Sequence, residues 1–240
     1  MEKKIYIVKR ISKGAENINT YWIAPEDGKL MDYRPGQFLM LFMIGPHGTP
    51  EPTGRPYSIA SSPTNRNYIE LNIKMLGHFP GRLATLKEGD RIAAMGPMGI
   101  HTFEEAQMPE VTLIAGGVGA CPLLSMIRYA AEKRLRNKIT LFYSARTPAD
   151  VIHCDELKAL AAKDPNFKPI VTLTRCEPTA MSGMACEAGR ISPEMLRKHV
   201  GNPAAQHYFI CGPAAMADAV AAMLEGMNVT PDRIHKEGWG

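Results

Sequence analysis

Three short clusters carry residue types that could do chemistry. In the first, the apolar run Val111-Thr112-Leu113-Ile114-Ala115 leads into Gly116-Gly117-Val118-Gly119, with Pro122 three residues on. A strand, a glycine turn and a helix start form a phosphate cradle. Glycines let the backbone come close, and the helix N-terminus offers free N–H groups and the positive end of its dipole. Pro122 stands where a Gly-x-Gly-x-x-Gly turn has its third glycine, and proline is tolerated in a first helical turn. The same residues would also make a tight turn with no ligand. The second cluster, Cys211-Gly212-Pro213 with Met216 beyond it, puts a thiol and another helix start at the end of a later strand. In an open parallel sheet that is the edge where ligands bind, although a buried cysteine ending a strand is common by itself. The third is Arg55-Pro56-Tyr57-Ser58. An arginine fork suits a diphosphate, a tyrosine ring stacks on a planar ring, and a serine hydroxyl donates to a ring nitrogen. In isolation the four residues read more simply as a strand start with a surface arginine and a half-buried tyrosine.

These clusters sit in two regions of different texture. The first hundred residues predict six short strands: Ile5–Val8, Thr20–Ile23, Phe38–Phe42, Tyr57–Ala60, Tyr68–Ile73 and Arg91–Ala94, each bounded by turn residues. Ile69, Leu71 and Ile73 alternate with Glu70, Asn72 and Lys74. Closely spaced, alternating strands indicate an antiparallel barrel or sandwich, with one short helix over Gly81–Lys87. After Phe103 strands and helices alternate. Strands are predicted at Val111–Ala115, Ile139–Tyr143, Lys168–Leu173, Gln206–Cys211 and Arg233–Lys236, with helices at 122–135, 155–163, 193–199 and 214–226. That order implies βαβ units and a five-stranded parallel sheet. The expectation is two domains, an antiparallel six-stranded β-barrel at residues 1–104 and an α/β domain at residues 105–240.

Bulk properties bound the alternatives. The 240 residues are 45% hydrophobic and 22% charged, with a net charge of +4, which suits a globular protein with a sizeable core. Lys133, Arg134, Arg136 and Lys138 fall at a predicted helix end, where cations complement the dipole, so no nucleic-acid partner is expected. The apolar stretch Val111–Ala131 is interrupted by glycines, Pro122 and Arg128, so no membrane span is expected. The five cysteines form no CxxC pair or cluster spacing, and no metal site is expected. Without a secretory signal they suggest reduced thiols and a cytoplasmic setting. His153-Cys154-Asp155-Glu156 reads as a helix start with acidic residues in its first turn, not as a ligand set.

Together the three clusters resemble the ferredoxin–NADP reductase superfamily over nearly the whole chain. Arg55, Tyr57 and Ser58 match its RxYS box, with Pro35-Gly36-Gln37-Phe38 before it. Gly116, Gly117, Gly119 and Pro122 match its Gly-Gly-x-Gly-x-x-Pro turn, and Cys211, Gly212 and Pro213 its Cys-Gly-Pro motif. The resemblance implies an FAD-binding barrel and an NAD(P)-binding sheet domain. It implies that Arg55 pairs with the FAD diphosphate, Tyr57 packs on the isoalloxazine and Ser58 bonds near its N5. It counts Pro56, Ile73, Lys74, Gly81, Arg82 and Leu83 in the FAD site. It assigns Gly117, Val118, Gly119, Pro122, Ser144, Gly212, Pro213 and Met216 to the nicotinamide cofactor, with Cys211 near the nicotinamide C4. Ser58, Cys211 and Glu237 stand at the reacting atoms, and Glu237-Gly238-Trp239-Gly240 resembles the segment that closes over the flavin, Trp239 in the aromatic position.

The chain departs from relatives in Phe79-Pro80-Gly81-Arg82-Leu83-Ala84, which lacks the usual Ser or Thr, so the backbone N–H groups of Gly81, Arg82 and Leu83 are expected to serve the diphosphate. Arg146 and Arg175, where NAD-specific sites often place a carboxylate, favour NADPH over NADH. The implied partner is an electron carrier such as ferredoxin, flavodoxin or an oxygenase component. The alternative is an electron-transfer subunit of a larger iron–sulfur/flavin complex.

Overall fold

A computed structural model describes residues 1–15, 17–177 and 183–239, with Trp239 described by its backbone only. The N-terminal part holds β1 (Lys4–Lys13), β2 (Ile18–Pro25), β3 (Phe38–Phe42), β4 (Arg55–Ser58), β5 (Ile69–Lys74), α1 (His78–Leu83) and β6 (Arg91–Met98). The six strands form one antiparallel sheet in the order β4-β3-β6-β1-β2-β5. Its edges meet where the Ala60 N–H donates to the Glu70 carbonyl at 2.9 Å, which closes the sheet into the expected barrel. Tyr6, Val8, Tyr21, Leu39, Leu41, Ile69, Leu71 and Ile73 fill the interior, and α1 adds Phe79 and Leu83. Two of the three polar residues that alternate along β5 do not meet water; only Lys74 does. Glu70 is 4% and Asn72 5% exposed, because the second domain covers that face.

The C-terminal part holds β7 (Glu110–Gly116), α2 (Ala120–Glu132), β8 (Lys138–Ala145), α3 (Cys154–Lys163), β9 (Phe167–Leu173), β10 (Ala185–Ala188), α4 (Pro193–His199), β11 (His207–Pro213), α5 (Ala214–Gly226) and β12 (Ile234–Trp239). They form a parallel sheet in the order β10-β9-β8-β7-β11-β12. It has six strands rather than the expected five. β10 is the addition: four residues on the sheet edge, none fully buried, with no apolar run to announce it. Alternate residues of each inner strand feed two cores. Leu113, Leu141 and Val171 pack under α2 and α3, and Ile114, Phe142 and Ile170 pack against α4 and α5. Burial on both faces explains the continuous apolar runs. The strand order reverses between β7 and β11, so the glycine turn and Cys211-Gly212-Pro213 end neighbouring strands at the topological switch point. No helix among the described residues is long and apolar enough to cross a membrane.

Candidate active site

β7 ends at Gly116, Gly117–Gly119 make one 3₁₀ turn, and α2 follows at once. Packing dictates the glycines. Gly117 has φ +56° and nothing within 4 Å of a would-be Cβ, so it is strained for other residues and open on its outer side. A Cβ on Gly119 would overlap the Cys211 carbonyl, and one on Gly116 would come within 2.7 Å of the Met216 sulfur. The ends of β7 and β11 therefore meet backbone to backbone, with Met216 filling the space beside Gly116 and Gly212. From behind, the buried Tyr143 hydroxyl donates to the Gly117 carbonyl at 2.9 Å and accepts from Ile152 N–H at 3.1 Å. The start of α2 has no side-chain cap and no acidic residue in its first turn. Its free N–H groups and dipole stay available to an anion, and Pro122 costs no hydrogen bond in that turn.

Along the same edge, Ser144 is half-buried at the end of β8, with Arg146 and Arg175 exposed just past β8 and β9. Arg175 N–H donates to the Arg146 carbonyl at 3.0 Å, so the two arginines are held as neighbours. On the other side, Cys211 pairs in register with Ala115 and Glu237. Burial, with the Glu237 carboxyl beside it, pushes the Cys211 thiol well up, and burial also raises Glu237. Cys211 is thus a neutral thiol at neutral pH. A small cavity bounded by Pro122, Cys211 and Glu237 also touches Gly36 and His101 of the barrel side, so these groups sit at the domain junction. The Trp239 backbone pairs with Pro213; its side chain and Gly240 lie outside the described residues.

The barrel contributes a cleft of about 480 Å³ lined by Glu51, Arg55, Pro56, Tyr57, His78, Phe79 and Arg82. Arg55 is exposed. Its guanidinium donates to the Gly54 carbonyl at 2.9 Å and has no carboxylate partner among the described residues. Tyr57 is half-buried, its hydroxyl pushed up to about 12 by burial, and its ring lies 6.2 Å from that of Phe79. Ser58 is half-buried opposite Phe38. A cleft with an unpaired guanidinium and a half-open aromatic wall fits a diphosphate joined to a planar ring.

Some expected assignments need correction. α1 starts at His78, not Gly81, because Phe79 and Leu83 are its buried face. The Gly81 N–H is therefore bonded to the Gly77 carbonyl at 3.0 Å, and the Arg82 and Leu83 N–H groups lie beyond the unbonded first turn. The turn's free donors are those of His78 and Phe79. Arg82 instead uses its guanidinium, bonded through both arms to Glu51 at 2.8 and 2.7 Å. Ile73 and Leu83 are 1% exposed inside the barrel core, so only their backbones can face a ligand; Lys74 is exposed. Sequence reasoning missed Tyr143 and Glu51. Nothing in the sequence marks either, since each depends on a partner more than twenty residues away.

Two domain families match the chain: an oxidoreductase FAD-binding domain at residues 7–103 and an oxidoreductase NAD-binding domain at residues 113–222. The chain thus carries an oxidoreductase FAD-binding domain followed by an oxidoreductase NAD-binding domain. Among relatives, the reductase component of propane 2-monooxygenase from Rhodococcus jostii is 30% identical over 231 residues, covering 95% of this chain and 61% of the relative. The chain thus spans about three fifths of that relative's length. The flavohem-like FAD/NAD-binding domain of nitric oxide dioxygenase from Vibrio cholerae superposes with a TM-score of 0.84 at 21% identity, covering 99% of this chain and 98% of that domain. A ferredoxin NADP⁺ reductase from Neisseria gonorrhoeae, with bound FAD and NADP, gives 0.79 at 19% identity, covering 100% and 98%. These two likenesses establish the fold.

Proposed function

We propose that the chain is an FAD-dependent NAD(P)H oxidoreductase that passes electrons on to a protein acceptor. One observation carries the proposal. The uncapped, glycine-lined start of α2 abuts the barrel wall, Cys121 of its first turn donating to the Asn72 carbonyl at 3.5 Å, so the dinucleotide cradle opens beside the strand that carries Ile73 and Lys74. A bound flavin supplies the ability to take two electrons as hydride and release them singly. The chain's residues supply position. Arg55 holds the diphosphate, Tyr57 with Pro56 forms a wall for the ring, and Ser58 offers a hydroxyl to it. Gly117, Val118 and Gly119 present N–H groups to the dinucleotide, and Gly212 and Pro213 shape its path. Cys211 keeps its proton on Sγ and offers the nicotinamide face a neutral, non-nucleophilic surface. Glu237 places a carboxyl beside the same point, its pKa raised by burial. The closeness of Arg146 and Arg175 favours a 2′-phosphate, hence NADPH.

We assign residues 1–104 and 105–240 to the two domains, a division supported by the change of sheet between Met98 and Glu110. The five free cysteines support a reducing, cytoplasmic setting. The acceptor class is a small one-electron carrier: a ferredoxin, a flavodoxin or, as the name of the Rhodococcus relative suggests, an oxygenase component. The test is turnover of the FAD-loaded protein with NADPH or NADH and a panel of such carriers. Reduction of at least one carrier, or of an artificial acceptor by the protein alone, supports the reading. Activity only in the presence of a copurifying subunit would shift it to the larger-complex alternative.

A further inference from the structure

Helix α2 does more than start at the dinucleotide cradle. Its residues Cys121, Ser125 and Arg128 recur at i, i+4 and i+7, so they share one face, and that face grips the barrel through polar atoms. Ser125 Oγ donates to the Ser61 carbonyl at 2.7 Å. Arg128 donates to the Ala60 carbonyl at 2.8 Å and pairs with Glu70 at 3.1 Å. Its other nitrogens clasp both carboxylate oxygens of Glu156, on α3, at 2.7 Å each. His153, in a left-handed conformation at φ +54° just before α3, bridges back to Glu70 at 3.0 Å and to Asn72 Oδ1 at 3.1 Å. The centre of the network is shielded, with the Arg128 side chain 12% exposed and that of Glu70 5%, while Glu156 at its rim is 35% exposed.

Its placement gives it a task. Ala60 and Ser61 directly continue the Arg55–Ser58 strand, and Glu70 and Asn72 lie on the strand that ends at Ile73 and Lys74. The helix that receives one cofactor is thus bonded to the two segments that frame the other. The apolar seam between the domains, with Ile18, Phe103 and Met108 joining the core under α2, supplies affinity without direction. Hydrogen bonds restrict angle as well as distance. Each domain also has its own apolar core, so neither needs the network to fold.

We propose that Arg128, with Glu70, Glu156 and His153, forms a positioning network that sets the approach of the nicotinamide to the flavin. It rests on the cofactor reading above. Arg128 touches neither cofactor and acts through α2.

The test uses the full chain with FAD and three variants, Arg128→Ala, Arg128→Lys and Glu156→Gln. FAD content and the flavin spectrum should stay as in the parent. The limiting rate of flavin reduction by NAD(P)H should fall by about 10- to 100-fold in Arg128→Ala, since a misplacement near 1 Å has that scale of effect, while the NAD(P)H concentration for half-maximal rate changes little. The long-wavelength absorbance that reports nicotinamide stacked on flavin should weaken in the same order. Arg128→Lys keeps the charge but loses the fork and should not restore the rate, whereas Glu156→Gln should lose least. Calorimetry of the FAD-free protein adds a readout independent of activity, in which a single unfolding transition should separate into two in Arg128→Ala. Parent-like rates and stacking absorbance in Arg128→Ala would overturn the proposal. So would loss of FAD binding in Glu156→Gln, which would make the network a folding element of the barrel. If the parent itself is not reduced by NAD(P)H, the cofactor reading fails instead.

Discussion

The two proposed cofactor cradles are made of different material. At Gly116–Gly119 backbone meets backbone: the β7 and β11 ends touch, and Gly119 has no room for one more carbon against Cys211. In the cleft beside Arg55 the work falls to side chains, Arg55, Tyr57 and the Arg82–Glu51 pair, which line about 480 Å³ of space. A backbone cradle is rigid and intolerant, so a single added atom must move a strand. A side-chain cradle divides its binding among several groups and should lose affinity in steps. The contrast makes the dinucleotide side the more fragile of the two.

The largest expected effect is therefore at Gly119. Gly119→Ala forces the Cys211 carbonyl and the α2 start apart, and overpacking of that kind costs about 1–3 kcal/mol. The variant should lose thermal stability and NAD(P)H-driven flavin reduction together while the barrel still takes up FAD. Reduction at the parent rate would break the comparison. Arg55→Ala should come next. Losing one charge-assisted bond to a diphosphate, worth about 1.5–3 kcal/mol, should weaken FAD binding by about 10- to 100-fold in a flavin fluorescence titration, with the melting temperature of the FAD-free protein unchanged. A loss of folding in this variant would show that the cleft is as brittle as the glycine turn.

The remaining effect lies outside both cradles, in the dependence of stability on pH. The Glu70 carboxyl is pushed up by burial, but the hydrogen bond from His153 and the charge of Arg128 outweigh this and hold it at about 2. Its contribution, on the order of 3 kcal/mol, is present above its ordinary value of 4.5 and lost as pH falls through 2. His235, stacked on Phe209 with His101 and His207 near it, is held down to about 4 by burial first and by those two histidines second. That contribution is present above 6.5 and lost as pH falls to 4, on the order of 1 kcal/mol after allowance for solvent screening. Urea midpoints should fall in two steps, the upper removed by His235→Phe and the lower by Glu70→Gln. A single step removed by neither would contradict the assignment.

The sequence carried much of this because its strongest signals are local. Apolar runs and glycine turns announced all six barrel strands and five of the six parallel ones, whereas the spacing of Gly116–Gly119 suited a phosphate cradle and a ligand-free turn alike. β10 escaped because Ala185–Ala188 is short, mixed and on an edge. The start of α1 was misplaced because the anchoring burial of Phe79 is tertiary. The burial of Glu70 and Asn72 on the polar side of β5 was not legible, since alternation cannot separate a wet face from one covered by a second domain. For the same reason Arg128 appears in the sequence only as a charge interrupting an apolar stretch, while in the fold it joins Glu70 to Glu156.

The most direct test of the central claim is anaerobic stopped-flow mixing of the FAD-loaded protein with NADPH and NADH, each deuterated in turn at the two C4 positions. The flavin band should bleach, and deuterium at one position only should slow the bleaching. An unbleached flavin, or bleaching insensitive to deuterium at both positions, would contradict the claim.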